Sequence, residues 1–216
     1  MKKIQLLGLS KDSICLMFDL LHETYNFDFF DIYLNIPLKI IPETRFKTYD
    51  YNVNTLEAKL NTSVPIFWGT AGAKNRASIY EDFNKSQKVF EKYYMSIVSS
   101  SAYVASSSFI ANGVMIEPNC VVSSQTEINF GSMVKRGCSI GHHNTIGRFC
   151  DINPGTITSG NVTIGNGCTL GTGTVVSDNI EIGENTIIGV GSVVTKDIPA
   201  NVIAFGNPCK VIRENY

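Results

Sequence analysis

The sequence predicts an α/β unit with a small parallel sheet of half-Rossmann order, followed by an all-β solenoid of stacked parallel strands. Three observations predict it. Aliphatic residues recur at every sixth position from Val98 to Val194. A column of small residues runs four places after them. The first 95 residues lack that period and alternate short apolar runs with amphipathic stretches.

Within residues 1–95, segment 4–7 reads as a short apolar strand, 14–21 as an amphipathic helix and 29–34 as a second strand. Segment 65–68 reads as a third strand and 75–83 as a second helix. A βαβ order of this kind places ligands at the C-terminal ends of the strands. Those ends are Gly8 to Ser10, Asn35 and Gly69. The turn Gly8-Leu9-Ser10-Lys11-Asp12 precedes a helix but lacks the glycines of a dinucleotide fingerprint. A phosphate held at the helix N-terminus is the looser alternative. Trp68 and Tyr33 read as core of this unit rather than as a base-stacking platform.

Over residues 96–195, sixteen of the seventeen positions from Val98 to Val194 are aliphatic, and Thr158 alone breaks the run. A helix and a simple alternating strand both fail to give that register. Three six-residue segments then make one triangular coil, each strand pairs with the coils on either side, and one aliphatic side chain per strand points inward. Glycine often follows the aliphatic residue, as at Gly141, Gly147 and Gly165, where a sharp backbone turn is expected. Residues 196–216 leave the register, carry Pro199 and Pro208, and read as a cap over the last coil.

Composition narrows the function. A net charge of −1 and a pI of about 6.3 argue against a nucleic-acid surface or a polybasic membrane contact. No apolar run approaches the roughly 18 residues of a spanning helix and no secretory leader pattern follows Met1, so the expectation is a cytoplasmic protein. Four of the six cysteines fall in the small-residue column, where they read as compact buried hydrophobes and not as metal or redox groups.

Chemistry points to the histidines. There are three: His22 in the first helix, and His142 and His143 side by side in the repeat at a turn between two faces of the prism. Acyl transfer from a thioester to an amine or hydroxyl needs a group that takes the nucleophile's proton, and imidazole suits that near neutral pH. Two solvated histidines on a polar turn are the competing reading. A histidine metal site needs three ligands per ion, and the repeat holds two histidines, so no metal is expected. Lys135 and Arg136 read either as a phosphate contact or as a solvated face.

The whole chain resembles the bacterial sugar-nucleotide acetyltransferases, hexapeptide-repeat enzymes of the bacillosamine-pathway N-acetyltransferase and sialic-acid O-acetyltransferase type. The stretch Gly141-His142-His143-Asn144-Thr145-Ile146-Gly147-Arg148-Phe149-Cys150-Asp151-Ile152-Asn153-Pro154-Gly155 is similar to that family's E-H-[DE]-C-x-I-G-x-F-x-H-I-x-P-G. The ending Gly206-Asn207-Pro208-Cys209-Lys210-Val211-Ile212 is similar to its G-x-P-A-K-V-I. The resemblance implies a left-handed parallel β-helix, acetyl-coenzyme A as cosubstrate, no metal, and a homotrimer with active sites between neighbouring solenoids. It puts His142 on the catalytic base and His143 on the acidic residue that orients it. Asp151 falls where a second histidine helps place acetyl-CoA, and is also the candidate for the missing carboxylate. Thr172 and Val190 fall at backbone positions that contact coenzyme A. Gly8, Ser10, Asn35 and Gly69 fall at positions that bind the nucleotide sugar. The implied activity is N-acetylation of a nucleotide-linked amino sugar, with UDP as the expected nucleotide. Sugar O-acetylation and a non-catalytic binding subunit are the alternatives.

Overall fold

A computed structural model describes residues 2–10, 13–36 and 49–216; Lys11 and Asp12 of the first turn lie outside the described residues. The chain divides into two compact units, Met1–Met95 and Ser96–Tyr216.

The first unit runs β1 (Lys3–Leu7), α1 (Ile14–Tyr25), β2 (Phe29–Tyr33), β3 (Asp50–Asn54), β4 (Ile66–Trp68) and α2 (Ala73–Gln87). Its strands form one parallel sheet in the order β3-β2-β1-β4. The sheet therefore has an edge strand, β3, that the sequence pattern does not announce. Asp50-Tyr51-Asn52-Val53-Asn54 has no buried residue, so it lacks the alternation that marks a half-buried strand. It is held instead by its register with β2, from Phe29 opposite Asp50 to Tyr33 opposite Asn54. Ile14, Met17, Phe18, Leu20 and Leu21 line the buried face of α1, the spacing of an amphipathic helix. Phe18 packs on Phe30 of β2 with ring centroids 4.4 Å apart. Trp68 is fully buried and stacks on Tyr94 at 4.4 Å, and Tyr33 is buried too, so both serve this core.

The second unit is a solenoid of two-residue strands on three faces. The first face stacks Ile97–Val98, Met115–Ile116, Met133–Val134, Asp151–Ile152, Thr169–Leu170 and Ile187–Ile188. The second runs from Tyr103–Val104 through Ser139–Ile140 to Val193–Val194, and the third from Phe109–Ile110 through Thr145–Ile146 to Glu181–Ile182. Every neighbouring pair on a face is parallel and offset by 18 residues, one turn of the prism. The inward column is buried from Ile116 to Val194, and its members other than Thr158 belong to one apolar core. Cys120, Cys138, Cys150 and Cys168 are buried within it as free thiols. Each Sγ donates 3.1 Å to a ladder carbonyl of the next coil, and burial pushes the Cys150 thiol well up.

The glycines that follow the aliphatic column have a different cause from the one the sequence suggests. Gly141, Gly147, Gly165, Gly171, Gly183 and Gly189 do not carry positive φ; a Cβ at any of the first five would overlap backbone of the next coil, and at Gly189 it would meet Phe205. The sharp turn is made two residues later, in the left-handed region, at Gly137, His143, Phe149, Gly155 and Asn161 among others. His143 thus sits at the corner position where the chain changes face, with φ of 57°.

The segment after Val194 leaves the strict period as expected, but it continues the stack before it closes it. Ile198 bridges to Ile182, and Val202–Gly206 pairs in parallel with Ile187–Ile188. Ala204 lies opposite Ile188, 16 residues on, so the last coil is two residues short. Cys209–Glu214 then returns antiparallel on Val202–Gly206 as a hairpin.

Candidate active site

The corner between the second and third faces carries Gly141, His142, His143 and Asn144, between Ser139–Ile140 and Thr145–Ile146. Both histidines are exposed. Their rings meet edge to face, 88° between planes, with Nδ1 of His142 3.0 Å from Nδ1 of His143. A contact between two ring nitrogens needs one N–H and one lone pair. With the proton on Nδ1 of His142, its Nε2 is left with a free lone pair for proton transfer, and His143 is the acceptor. When Nε2 takes a proton, the bond between the rings becomes charge-assisted and stabilises the imidazolium. A neutral His143 can thus do part of what an acidic neighbour does.

The His142 ring lies against Gly160, the residue one coil on. A Cβ at Gly160 would overlap the imidazole, approaching Nε2 to 2.7 Å, so only glycine leaves that space. The turn is also held by backbone: His143 N–H donates to the Ser124 carbonyl at 3.0 Å and Asn161 N–H to the His142 carbonyl at 2.9 Å. Gly160 bears no signal by itself in the sequence. It becomes visible when 18 is added to the number of His142.

Asp151 lies elsewhere. It opens a strand on the first face, is 4% exposed, and pairs with Lys135, its Oδ1 3.7 Å from Nζ. Lys135 also donates to Asn153 at 2.7 Å, and Arg136 is paired with the buried Glu117 at 3.3 Å. The two cations therefore belong to intramolecular pairs. His143, not Asp151, is the side chain that touches His142 within the chain.

Thr172 and Val190 are exposed and stack on successive coils, Gly191 N–H donating to the Thr172 carbonyl at 2.9 Å. They mark the corner between the first and second faces, a different corner from that of the histidines. Glycines flank Thr172 on both sides, Gly171 and Gly173, so the backbone there is open to approach.

In the sheet unit, Gly8, Ser10 and Gly69 come together at the strand ends. Gly69 N–H donates to Leu7, Ser10 N–H to Gly69 and Gly8 N–H to Tyr33, at 2.8, 3.0 and 2.8 Å. Gly8 has φ of 79° and packs beneath Ile79 of α2, with no room for a Cβ. Asn35, just after β2, donates 2.8 Å to Asp82 of α2. Asn35, Thr70, Asn75 and Ser78 line a cavity of about 240 Å³ there. Asn75, Ser78 and Asp82 were not singled out by sequence. Their spacing of three and four residues puts them on one face of α2, the signal that finds them. A larger open groove of about 560 Å³ lies by Leu56, Leu60 and Gln87. Gln87 there accepts from Leu60 N–H and donates to the Leu56 and Ala58 carbonyls, so its amide braces the loop.

Comparison with known proteins bears on the fold. Residues 161–196 match the bacterial transferase hexapeptide family (six repeats). Those residues make up two of the 18-residue coils of the solenoid. Solved structures match over nearly the whole chain. The acetyltransferase domain of PglB from Neisseria gonorrhoeae is 21% identical, covers 98% of this chain and 100% of its own, and superposes with a TM-score of 0.77. WeeI from Acinetobacter baumannii is 20% identical over 98% of this chain and 100% of its own, with a TM-score of 0.79. A mutant perosamine N-acetyltransferase from Caulobacter crescentus, in complex with CoA and GDP-perosamine, is 19% identical over 99% of this chain and 98% of its own, with a TM-score of 0.77. No curated protein sequence matches the chain. These likenesses give the fold its full description, a small parallel α/β sheet followed by a left-handed parallel β-helix, an exception to the right-handed crossover preference. Among the described residues no helix is long and apolar enough to cross a membrane, and no group of three His, Cys, Asp or Glu gathers.

Proposed function

We propose that this chain is an acetyl-CoA-dependent N-acetyltransferase that acts on the amino group of a nucleotide-linked amino sugar, with His142 as general base. The observation that carries the reading is the ring-to-ring contact of His142 and His143 on an exposed corner of a hexapeptide-repeat prism. The amine attacks the thioester carbonyl, a C–N bond forms, and Nε2 of His142 takes the proton the nitrogen sheds. The tetrahedral intermediate collapses as the C–S bond breaks, and the proton passes from His142 to the departing thiolate of coenzyme A. No covalent enzyme intermediate is required; the rest is positioning. His143 orients His142 and accepts its Nδ1–H.

Thr172 and Val190 contribute backbone to the coenzyme A arm, and Asp151, beside Lys135, helps to place it. Gly8, Ser10, Asn35 and Gly69 form the floor of the nucleotide-sugar pocket. The PglB domain with acetyl coenzyme A and the Caulobacter enzyme with CoA and GDP-perosamine, both of the same fold, support these ligand classes. The nucleotide in our reading is UDP; GDP is the competing one.

A single prism turns its corners outward in different directions, so the histidine corner and the Thr172 corner of one copy do not close one cleft. A homotrimer in which neighbouring solenoids supply one corner each does. The second face supports this with an exposed outward column, Tyr103, Val121, Ile157 and Val175, 62, 42, 47 and 38% exposed. Ser139 stands between Val121 and Ile157, and apolar side chains that dominate such a column are the composition of an interface core.

The test is direct. The protein is incubated with acetyl-CoA and a panel of UDP- and GDP-linked amino sugars while thiol release is followed. Turnover with one or more amino sugars, and none with their hydroxyl counterparts, is expected. Thiol release with the hydroxyl sugars alone would replace N-acetylation by O-acetylation, and none with any sugar would remove the enzymatic reading.

A further inference from the structure

The interior of the prism is apolar along its inward column except at one place. Thr158 interrupts the aliphatic series, and Asn144 stands in the column otherwise held by Ser, Thr, Cys or an aliphatic residue. The two breaks are one feature. Both side chains are buried, 4 and 1% exposed, and Asn144 Nδ2 donates 2.5 Å to the Thr158 hydroxyl. Asn144 Oδ1 accepts from Val162 N–H at 2.7 Å.

This pair lies directly under the histidine turn and alters its backbone. In the coils on either side, the residue after the inward aliphatic of the second face donates to the ladder: Ser123 N–H to the Ile140 carbonyl and Ser159 N–H to the Val176 carbonyl, both at 2.9 Å. At Gly141 the N–H goes instead to the Thr158 hydroxyl, at 3.1 Å. The Gly141 carbonyl accepts from the Thr126 hydroxyl at 2.7 Å. Both peptide groups of Gly141 are thus held by side chains from inside the prism, immediately before His142. One coil on, the equivalent positions are Val162 and Val176, both buried, and the ladder there is regular. The fold closes this corner with two valines; the polar pair is not needed to build it.

We propose that Asn144 and Thr158 are positioning residues, a buried polar bracket that sets the Gly141–His142 turn and so fixes the direction and tautomer of the His142 imidazole. The proposal rests on the reading of His142 as general base. The bracket carries no proton and touches no substrate. It replaces a ladder bond by a side-chain bond so that the turn can take a shape the repeat does not give it. The buried amide and hydroxyl satisfy each other, so their cost to the core is small.

The experiment copies the neighbouring coil. The double variant N144V/T158V removes both polar side chains together, so neither is left facing an apolar partner; Gly141 N–H can return to the ladder, while Val162 N–H loses its acceptor, at the cost of one buried hydrogen bond. We expect a folded variant with a thermal midpoint below that of the unaltered chain by no more than that one lost bond explains. Turnover should fall by about 10²-fold with KM for acetyl-CoA within about twofold, the pattern of a misplaced base. In ¹⁵N spectra, simplified by a total of three histidines, the fixed Nδ1–H form of His142 should be lost. Thr158→Ser keeps the hydroxyl and should keep both turnover and spectrum. Turnover within about twofold of the unaltered chain together with an unchanged His142 spectrum overturns the bracket. Equal losses in Thr158→Ser and Thr158→Val overturn it as well, because they would report packing and not the hydroxyl; that pair also decides the matter should the double variant not fold. If the unaltered chain transfers no acetyl group, the proposed reaction fails by itself. The His142 spectrum then decides the bracket alone, a lost tautomer supporting it and a retained one refuting it.

Discussion

The two units of this chain solve the placement of functional groups in opposite ways. In the solenoid every coil repeats the same layers, so the core is indifferent to which corner carries the chemistry, and His142 and His143 are exposed side chains on an otherwise generic scaffold. In the sheet unit the residues proposed to face the ligand are also the structure. Ser10 and Gly69 hold the ends of β1 and β4 together by backbone bonds, Gly8 ties the end of β1 to β2, and Asn35 ties β2 to α2 through Asp82. The difference teaches where a substitution is felt. On the proposed function, a change on a solenoid corner should alter turnover with the fold intact, whereas a change at the strand ends should alter binding and local structure together.

The largest effect that sharpens this contrast is on assembly. Ile157→Glu with Val175→Glu puts charges on the exposed column of the second face and leaves the inward column untouched. Sedimentation should show a folded monomer in place of the proposed trimer, and the proposed acetyl transfer should be lost; an active monomer would break the two-corner cleft. Next comes the core. Ile164→Ala, at a fully packed inward position, should cost about 2–5 kcal/mol in denaturant unfolding. A cost below about 0.5 kcal/mol would mean the coils are not closely packed. A smaller effect belongs to the sheet unit. Asn35→Ala should raise KM for the nucleotide sugar about tenfold, the worth of a hydrogen bond or two, with kcat little changed. A fall in kcat at constant KM there would erase the division of labour between the units. Smallest is Val53→Ala on the exposed edge strand β3, expected to shift stability by about 0.5 kcal/mol or less.

How much of this was legible in the sequence follows the same division. The solenoid could be read almost residue by residue, because one period places every inward side chain and every neighbour 18 positions away. The histidine corner was legible for the same reason. What the period hid was its exceptions. Thr158 reads as a lapse in the aliphatic column, and its meaning appears only when Asn144 is found against it across the coil. The role given to Gly141 and its equivalents was also wrong in cause, since close approach of coils and not a left-handed turn demands glycine there. In the sheet unit, α1, β1 and β2 carried local patterns. β3 did not, for an edge strand with half-exposed side chains buries too little to leave a mark. Asp82, Asn75 and Ser78 depend on how α2 lies on the strand ends, a contact between distant parts of the chain that periodicity cannot supply.

The central claim is that one imidazole, held by its neighbour's ring on a prism corner, takes the proton of the attacking amine. The most direct measurement is the steady-state turnover of His142→Ala at saturating acetyl-CoA and sugar nucleotide, with circular dichroism to verify the fold. The account predicts a loss of about 10²–10⁴-fold with both KM values little changed. Turnover near that of the unaltered protein would contradict it.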